Sequence, residues 1–213
     1  MKTKQQHAAG RKLLRLEVAL LIGLAVALDW GAWSLGTQRT LADRVVRLHV
    51  LANSDSEADQ ALKLTVRDRI LEVAEPLLET ASDREEARTA LETALPELEQ
   101  AAEETIAAAG YDYGVTARLE ETEFPTREYD GFALPAGEYL ALRVVIGAGE
   151  GQNWWCVVFP PLCAAASEDV PAVAVAAGLT EDQVSLITEE DQGYELKFKA
   201  VEWWNSLRQK LEG

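Results

Sequence analysis

The spacing of apolar residues divides most of the chain into alternating strands and helices. Apolar and polar residues alternate over 44–53, which predicts a half-buried strand. From Ala58 to Val73 the apolar positions recur every three or four residues, which is typical of an amphipathic helix. Ser54 and Glu57 have the spacing of a capping box, with Ser54 as the N-cap, so we expect this helix to begin there.

A second helical stretch follows the first. It opens with another capping box at 82–85, and Pro96 is expected to break or kink it before it ends at Gly110 in the C′ position. On the first helix, Asp59 and Lys63 are spaced as an i, i+4 pair and are expected on the outer, solvent-facing side.

The pattern of apolar residues in the second half of the chain predicts mainly strands. We expect strands near 113–120, 139–146, 155–159 and 194–199, with a loop over 123–137, an irregular segment over 164–178, a short helix at 180–187 and a last helix that buries Trp204. Together these elements predict an α+β fold, in which one mostly antiparallel sheet is covered by helices and preceded by an N-terminal export or anchor helix.

The amino-terminal segment differs from the rest in charge and hydropathy. Residues 1–47 hold eight Lys and Arg against three acids, and the uncharged apolar run 18–28 follows the basic residues. This arrangement is typical of an export signal, and an uncleaved anchor over 13–36 or a buried helix of the domain are the alternatives. The predicted organisation is an export signal or anchor at 1–36, a linker at 37–43 and one signalling domain at 44–213.

The charge balance argues against one class of partner, nucleic acids. The formal net charge is −16, and after residue 47 the chain has 12 bases against 33 acids. A body this acidic repels phosphate backbones, so we expect no nucleic-acid partner. Contact with a membrane is expected only through the N-terminal segment.

The sequence holds no set of residues marked for catalysis. His49 is the lone histidine after residue 7, and no nucleophile and orienting acid accompany it at a recognisable spacing. With Asn53 and Asp55, His49 is instead expected to shape a turn through hydrogen bonds. Asp55, Asp59 and Asp68 lack the calcium-loop pattern. We therefore predict no catalytic residues, no metal site and no cofactor.

The segment 134–163 is the most unusual part of the chain. Gly147, Gly149 and Gly151 predict a tight turn that requires positive φ, and Asn153 follows it. Adjacent strand residues point to opposite faces, so one of Trp154 and Trp155 is expected in the core and the other near a partner. Core packing of both is the alternative. The residues predicted to contact a partner or shape turns are His49, Asn53, Asp55, Asn153, Trp154, Trp155 and Trp203.

The two cysteines are compatible with two interpretations, a disulfide or two free thiols. Cys156 and Cys163 are seven positions apart, so a disulfide needs the chain to fold back between them, and Pro160-Pro161 offers a place for that. Outside the cytoplasm the pair is compatible with a disulfide, whereas two buried free thiols are the alternative.

Two motif blocks carry a family resemblance. The residues 49–56, 59–64 and 66–68 with the segment 134–163 resemble the stage II sporulation protein R family of endospore-forming bacteria, over about residues 44–211. The positions that match the family are His49, Ala52, Asn53, Ser54, Asp55, Asp59, Gln60, Lys63, Arg67, Asp68, Gly137, Glu138, Tyr139, Arg143, Gly147, Gly151, Asn153, Trp154, Trp155, Cys156, Pro160, Pro161 and Cys163.

The resemblance implies a signalling role. Such a protein is made in the forespore, exported into the intermembrane space and activates, by binding, a membrane-embedded aspartic-type protease that processes the precursor of the early mother-cell sigma factor. This implies a binding protein and not an enzyme. An extracytoplasmic cell-wall hydrolase that uses His49 with Asp55 or Glu138, or a structural envelope protein, is the alternative.

Overall fold

The computed structural model describes residues 20–21, 23–24, 41–129, 132–163, 170–176 and 178–188. The chain divides into two units, 1–38 and 39–213. The four described residues of the first unit are helical. Within the described residues, no helix is both long enough and apolar enough to cross a membrane. The predicted strand at 194–199, the last helix and Trp203 lie outside the described residues, as does most of the segment 13–36.

The second unit alternates long helices with strands. Its strands are β1 (Val46–Leu51), β2 (Val115–Phe124), β3 (Arg127–Tyr129), β4 (Phe132–Leu134), β5 (Gly137–Ile146) and β6 (Asn153–Phe159). Its helices are α1 (Glu57–Leu78), α2 (Arg84–Ala108), α3 (Val170–Ala176) and α4 (Glu181–Thr188).

The main sheet is mixed. Its four strands lie in the order β2-β5-β1-β6, and the central pair β1 and β5 is parallel whereas the two outer pairs are antiparallel. The α+β class is therefore confirmed. The prediction of a mostly antiparallel sheet missed the parallel pairing of the two central strands. The chain leaves β1, passes through α1, α2 and β2, and returns as β5, and such a long crossover allows parallel pairing.

Both faces of the sheet are covered. Leu48 and Val50 of β1 pack with α1 and α2, while Val157 of β6 and Tyr139 of β5 pack with the hairpin β3–β4 and with α3 and α4. All six residues of β1 are consequently buried, and the prediction of a half-buried strand is wrong. Arg47 occupies the polar phase of the alternation, yet it points into the second core.

The helices begin at residues other than those that the capping boxes predict. Ser56, not Ser54, is the N-cap of α1, and Asp83 is the N-cap of α2. Pro96 lies inside a continuous α2, because the packing of the helix on the sheet outweighs the single backbone hydrogen bond that proline removes. Gly110 has φ of 85°, which confirms its C′ position.

Two segments hold more regular structure than the sequence indicates. The predicted loop 123–137 contains the end of β2, the small hairpin β3–β4 and the start of β5. The segment 164–178 was expected to be irregular, but Val170–Ala176 is helical. The short helix expected at 180–187 is present as α4.

Candidate functional site

Side chains of the loop after β1 bind the turn between β5 and β6. The Asn53 Oδ1 atom accepts a hydrogen bond from the Ala148 backbone at 3.0 Å, and its Nδ2 donates to Asp59 Oδ2 at 2.9 Å. The Asn53 carbonyl also accepts from the Glu150 backbone at 3.2 Å. Asp55 adds a second link, because its Oδ1 accepts from the Gln152 backbone at 2.7 Å. The predicted turn-shaping residues Asn53 and Asp55 thus meet at one junction.

Asp59 and Lys63 lie inside this junction and not on the outer face of α1. Their exposed fractions are 4% and 5%. Asp59 Oδ2 accepts from Ser54 Oγ at 2.5 Å, while Lys63 Nζ donates to Gln60 Oε1 at 2.6 Å and to the Gln152 carbonyl at 3.0 Å. The i, i+4 spacing indicated a surface pair, but the turn between β5 and β6 covers this part of the helix.

The hydrogen bonds to Asp59 affect its titration. Bonds from Ser54 and Asn53 hold the pKa of the Asp59 carboxyl below its usual range, because they stabilise the charged form. The folded state therefore binds this proton less readily than the unfolded state. The stability from this site is fully present above the unfolded pKa of about 4 and is lost as the pH falls through the lower folded pKa.

We expect Asp59→Asn to flatten the acid limb of the stability profile. An amide cannot titrate, so unfolding free energies measured by urea titration between about pH 5 and pH 2 should change less than in the parent chain. Asp112→Asn, at an exposed position before β2, is the matched control and should keep the parent profile. An equally steep acid limb in Asp59→Asn would show that other carboxyls govern the transition.

The three glycines of the turn have two different roles. Gly147 and Gly149 have φ of 57° and 66°, which confirms the predicted turn with positive φ. Gly151 is needed for space: a Cβ atom there would lie 2.2 Å from the Ser54 carbonyl oxygen. Gly151 also donates its backbone N–H to the Ala52 carbonyl at 3.0 Å. The turn and the loop after β1 are therefore in direct backbone contact.

His49 lies on the opposite face of the sheet from α1. Its Nε2 is 2.7 Å from Asn153 Oδ1, and its ring stacks on Trp155 with centroids 5.7 Å apart. Phe124 contacts the ring edge at a centroid distance of 5.8 Å. Burial lowers the pKa of His49, so the ring favours its neutral form. The histidine and Asn153 hold the start of β6 against β1.

The two tryptophans point to opposite faces of the sheet, as strand geometry predicts. Trp154 packs on the core with α1, where the Arg67 guanidinium lies 4.3 Å from its ring centroid. Trp155 packs on the second core, where Arg127 lies 3.9 Å from its ring centroid. Both rings are half-buried and each packs on a core, so the structure does not divide them into one core ring and one exposed ring, and contact of either ring with a partner stays a prediction. An arginine covers each ring instead.

The two cysteines are bonded to each other in the structure. The S–S distance is 2.09 Å and the Cα atoms are 5.3 Å apart. The chain folds back just after Pro160, whose carbonyl accepts from the Leu162 backbone at 2.8 Å. The link fastens the end of β6, since Cys156 lies within the strand and is buried.

Loss of this link should lower stability without changing the fold. We expect Cys163→Ser to reduce the free energy of unfolding by roughly 2 kcal/mol, because a short closed loop restricts the unfolded chain only modestly. The measurement is a urea titration of the oxidised parent, the reduced parent and the variant. The reduced parent should match the variant, and a parent insensitive to reductant would contradict the assignment.

Sequence reasoning missed Arg47, which has an exposed fraction of 0%. Its Nη2 donates to the Tyr129 hydroxyl at 2.6 Å, and its Cζ lies 4.0 Å from the Phe124 ring centroid and 4.9 Å from that of Tyr139. Burial lowers the pKa of Arg47, although a guanidinium stays charged at neutral pH. The only signal in the sequence was a charged residue in the middle of an apolar strand.

The predicted acid–base pairs do not come together. Glu138 is exposed near the start of β5, whereas His49 pairs with Arg143, five residues further along that strand and therefore about 17 Å away. Asp55 bonds to the Gln152 backbone and His49 to Asn153. Among the residues that the structure describes, no group of three or more His, Cys, Asp or Glu side chains is placed to hold a metal ion.

Two comparisons with known proteins identify the same family. The family model described as stage II sporulation protein R matches residues 42–169, which include β1 to β6. The curated stage II sporulation protein R of Bacillus subtilis (strain 168) is 34% identical over 190 residues, covering 78% of this chain and 83% of that protein. No solved structure matches the chain. With the family model covering more than half of the sequence, this chain belongs to the stage II sporulation protein R family.

Proposed function

We propose that this chain is an exported signalling protein that activates a membrane-embedded aspartic-type protease by binding to it. The protease then processes the precursor of the early mother-cell sigma factor. Membership of the sporulation family supports the biological setting. The basic and apolar segment before residue 37 supports export from the forespore into the intermembrane space.

One observation carries the choice of binding over catalysis. Three titratable side chains that the sequence singled out hold loops together: Asp59 accepts from Ser54 and Asn53, Asp55 accepts from the backbone, and His49 bonds to Asn153. A hydrolase needs two or more such groups that converge on an open cleft. A rigid junction of loops suits a protein that presents a fixed surface.

The proposal is tested by reconstitution. The full chain, the candidate protease and the sigma-factor precursor are placed together in one cell or one membrane preparation, and precursor cleavage is followed with time. Cleavage should begin only when this chain is present. Cleavage at the same rate without it would overturn the proposal.

Two substitutions separate binding from hydrolysis in the same assay. Glu138→Gln and His49→Gln remove the acid–base groups of a hydrolase, so the binding proposal expects both variants to support processing in proportion to their folded fraction. Thermal melts measure that fraction. Loss of processing by a fully folded Glu138→Gln variant would favour the hydrolase.

The proposed export is tested by a separate measurement. Fractionation of sporulating cells should place residues 44–213 outside the forespore cytoplasm. Retention in the cytoplasm with an intact amino end would contradict export.

A further inference from the structure

A row of side chains that includes several arginines crosses one face of the main sheet. Arg118 of β2 pairs with Arg143 of β5, and Arg143 pairs with His49 of β1, which in turn pairs with Trp155 of β6. Directly paired residues on neighbouring strands point to the same face. The row therefore runs across all four strands, on the side away from α1 and α2.

Two more arginines extend this row. Arg47 lies two positions before His49 on the same face of β1, and Arg127 of β3 lies over the Trp155 ring. We call the four arginines Arg118, Arg143, Arg47 and Arg127, with the neutral His49 between them, the cationic row. It collects four arginines in a chain whose net charge is −16. Among the described residues, the one ion pair that a member of the row makes joins Arg143 to Glu120 at 3.4 Å.

Buried N–H groups on this face lack hydrogen-bond partners. Within the described part of the chain, four such donors lie here: Nε and Nη1 of Arg47, Nε of Arg127 and Nε1 of Trp155. The Phe124 and Tyr139 rings lie 4.0 and 4.9 Å from the Arg47 Cζ, and such rings stabilise the charge but provide no lone-pair acceptor for its N–H groups. A buried donor without an acceptor is costly, which makes this cluster an unusual feature of the fold.

A carboxylate is the group that suits the exposed arginines of this row. Its two coplanar oxygens match the fork of a guanidinium, and its charge suits a positive site in an acidic protein. The row spans three spacings between strands, about 14 Å, which is wider than one small anion needs. In an extended peptide, side chains on the same side recur about every 7 Å, so acids at alternate positions fit the row.

We propose that the cationic row binds an extended acidic segment of a partner polypeptide. Arg143, Arg127 and Arg118 are at least partly exposed and receive the carboxylates, while Arg47 lies beneath and adds positive potential. The apolar rings of Trp155 and Phe124 border the cations and exclude water from the contact. This inference rests on the proposed function in so far as the acidic segment belongs to the activated protease.

The test uses the full chain and a fluorescein-labelled oligoglutamate peptide as the probe. Fluorescence anisotropy should show saturable binding that weakens as salt is raised, because surface charges are screened. Arg143→Gln and Arg127→Gln should each weaken binding about tenfold, the loss of a charge-assisted hydrogen bond. Arg88→Gln on α2 makes the same change of charge at an exposed position among acids and should leave binding unchanged.

Several results would overturn the proposal. These are no binding of oligoglutamate, equal weakening by Arg88→Gln, or binding of acetate or inorganic phosphate as tight as that of the peptide. Circular dichroism confirms that each variant is folded. Failure of oligoglutamate binding with intact precursor processing would reject the cationic row alone. Peptide binding without processing would reject the proposed function alone.

Discussion

Gly151→Ala should lower the free energy of unfolding by about 3 kcal/mol, the upper end of the cost of overpacking. The added Cβ would lie 2.2 Å from the Ser54 carbonyl oxygen and 2.6 Å from its carbonyl carbon. Both atoms belong to the backbone, so no side-chain rotation can relieve the contact. The loop after β1 and the turn between β5 and β6 must separate, which weakens the hydrogen bonds that Asn53 and Asp55 make.

Gly114→Ala is the matched control for this prediction. A Cβ atom at Gly114 would meet no atom of the described part of the chain within 4 Å. The substitution should be neutral or stabilise by up to about 1 kcal/mol, because alanine restricts the unfolded chain. Urea titrations of both variants measure the difference. Equal stability of the two variants would mean that the loop and the turn are not in close contact.

Arg47→Met should raise the free energy of unfolding by about 1–4 kcal/mol, the range seen when buried ionic groups are replaced by apolar ones. Arg47 is fully buried, and two of its nitrogens have no hydrogen-bond partner among the residues that the structure describes. A methionine packs along the path of the Arg47 stem without desolvating a charge, but it is shorter than arginine and leaves part of the guanidinium volume unfilled. The variant loses the hydrogen bond to Tyr129, which reduces the gain.

The control for Arg47→Met is Arg88→Met, on the exposed side of α2. It should change stability by no more than about 0.5 kcal/mol. If Arg47→Met instead destabilised the protein by the amount typical of a core cavity, the ring contacts and the Tyr129 bond would outweigh the cost of burying the charge. A gain in stability would show that the arginine is retained for a reason other than folding.

Local patterns predicted the elements of the fold well, because they depend on near neighbours. The helix period located α1, α2 and α4, and the glycine spacing located a turn in which Gly147 and Gly149 adopt positive φ. The opposite orientations of Trp154 and Trp155 also follow from strand geometry alone. A break at Pro96 is the exception, since α2 continues through this proline.

Long-range contacts decided which faces of these elements are buried. Asp59 and Lys63 look like a surface pair by spacing, but the turn at 147–152 covers them. Arg47 and His49 fall on the polar phase of β1, but a second layer buries that face. No local pattern reports which distant segment packs on a face.

The sequence by itself determined the α+β class, the family, the acidic body and the separate character of the amino-terminal segment. These properties depend on composition, on periodicity and on short motifs, all of which are local. The tertiary structure decided the parallel pairing of β1 with β5, the junction around Asn53 and the assembly of the cationic row. Those features join residues up to about a hundred positions apart, and only the folded packing of the sheet sets which of them meet.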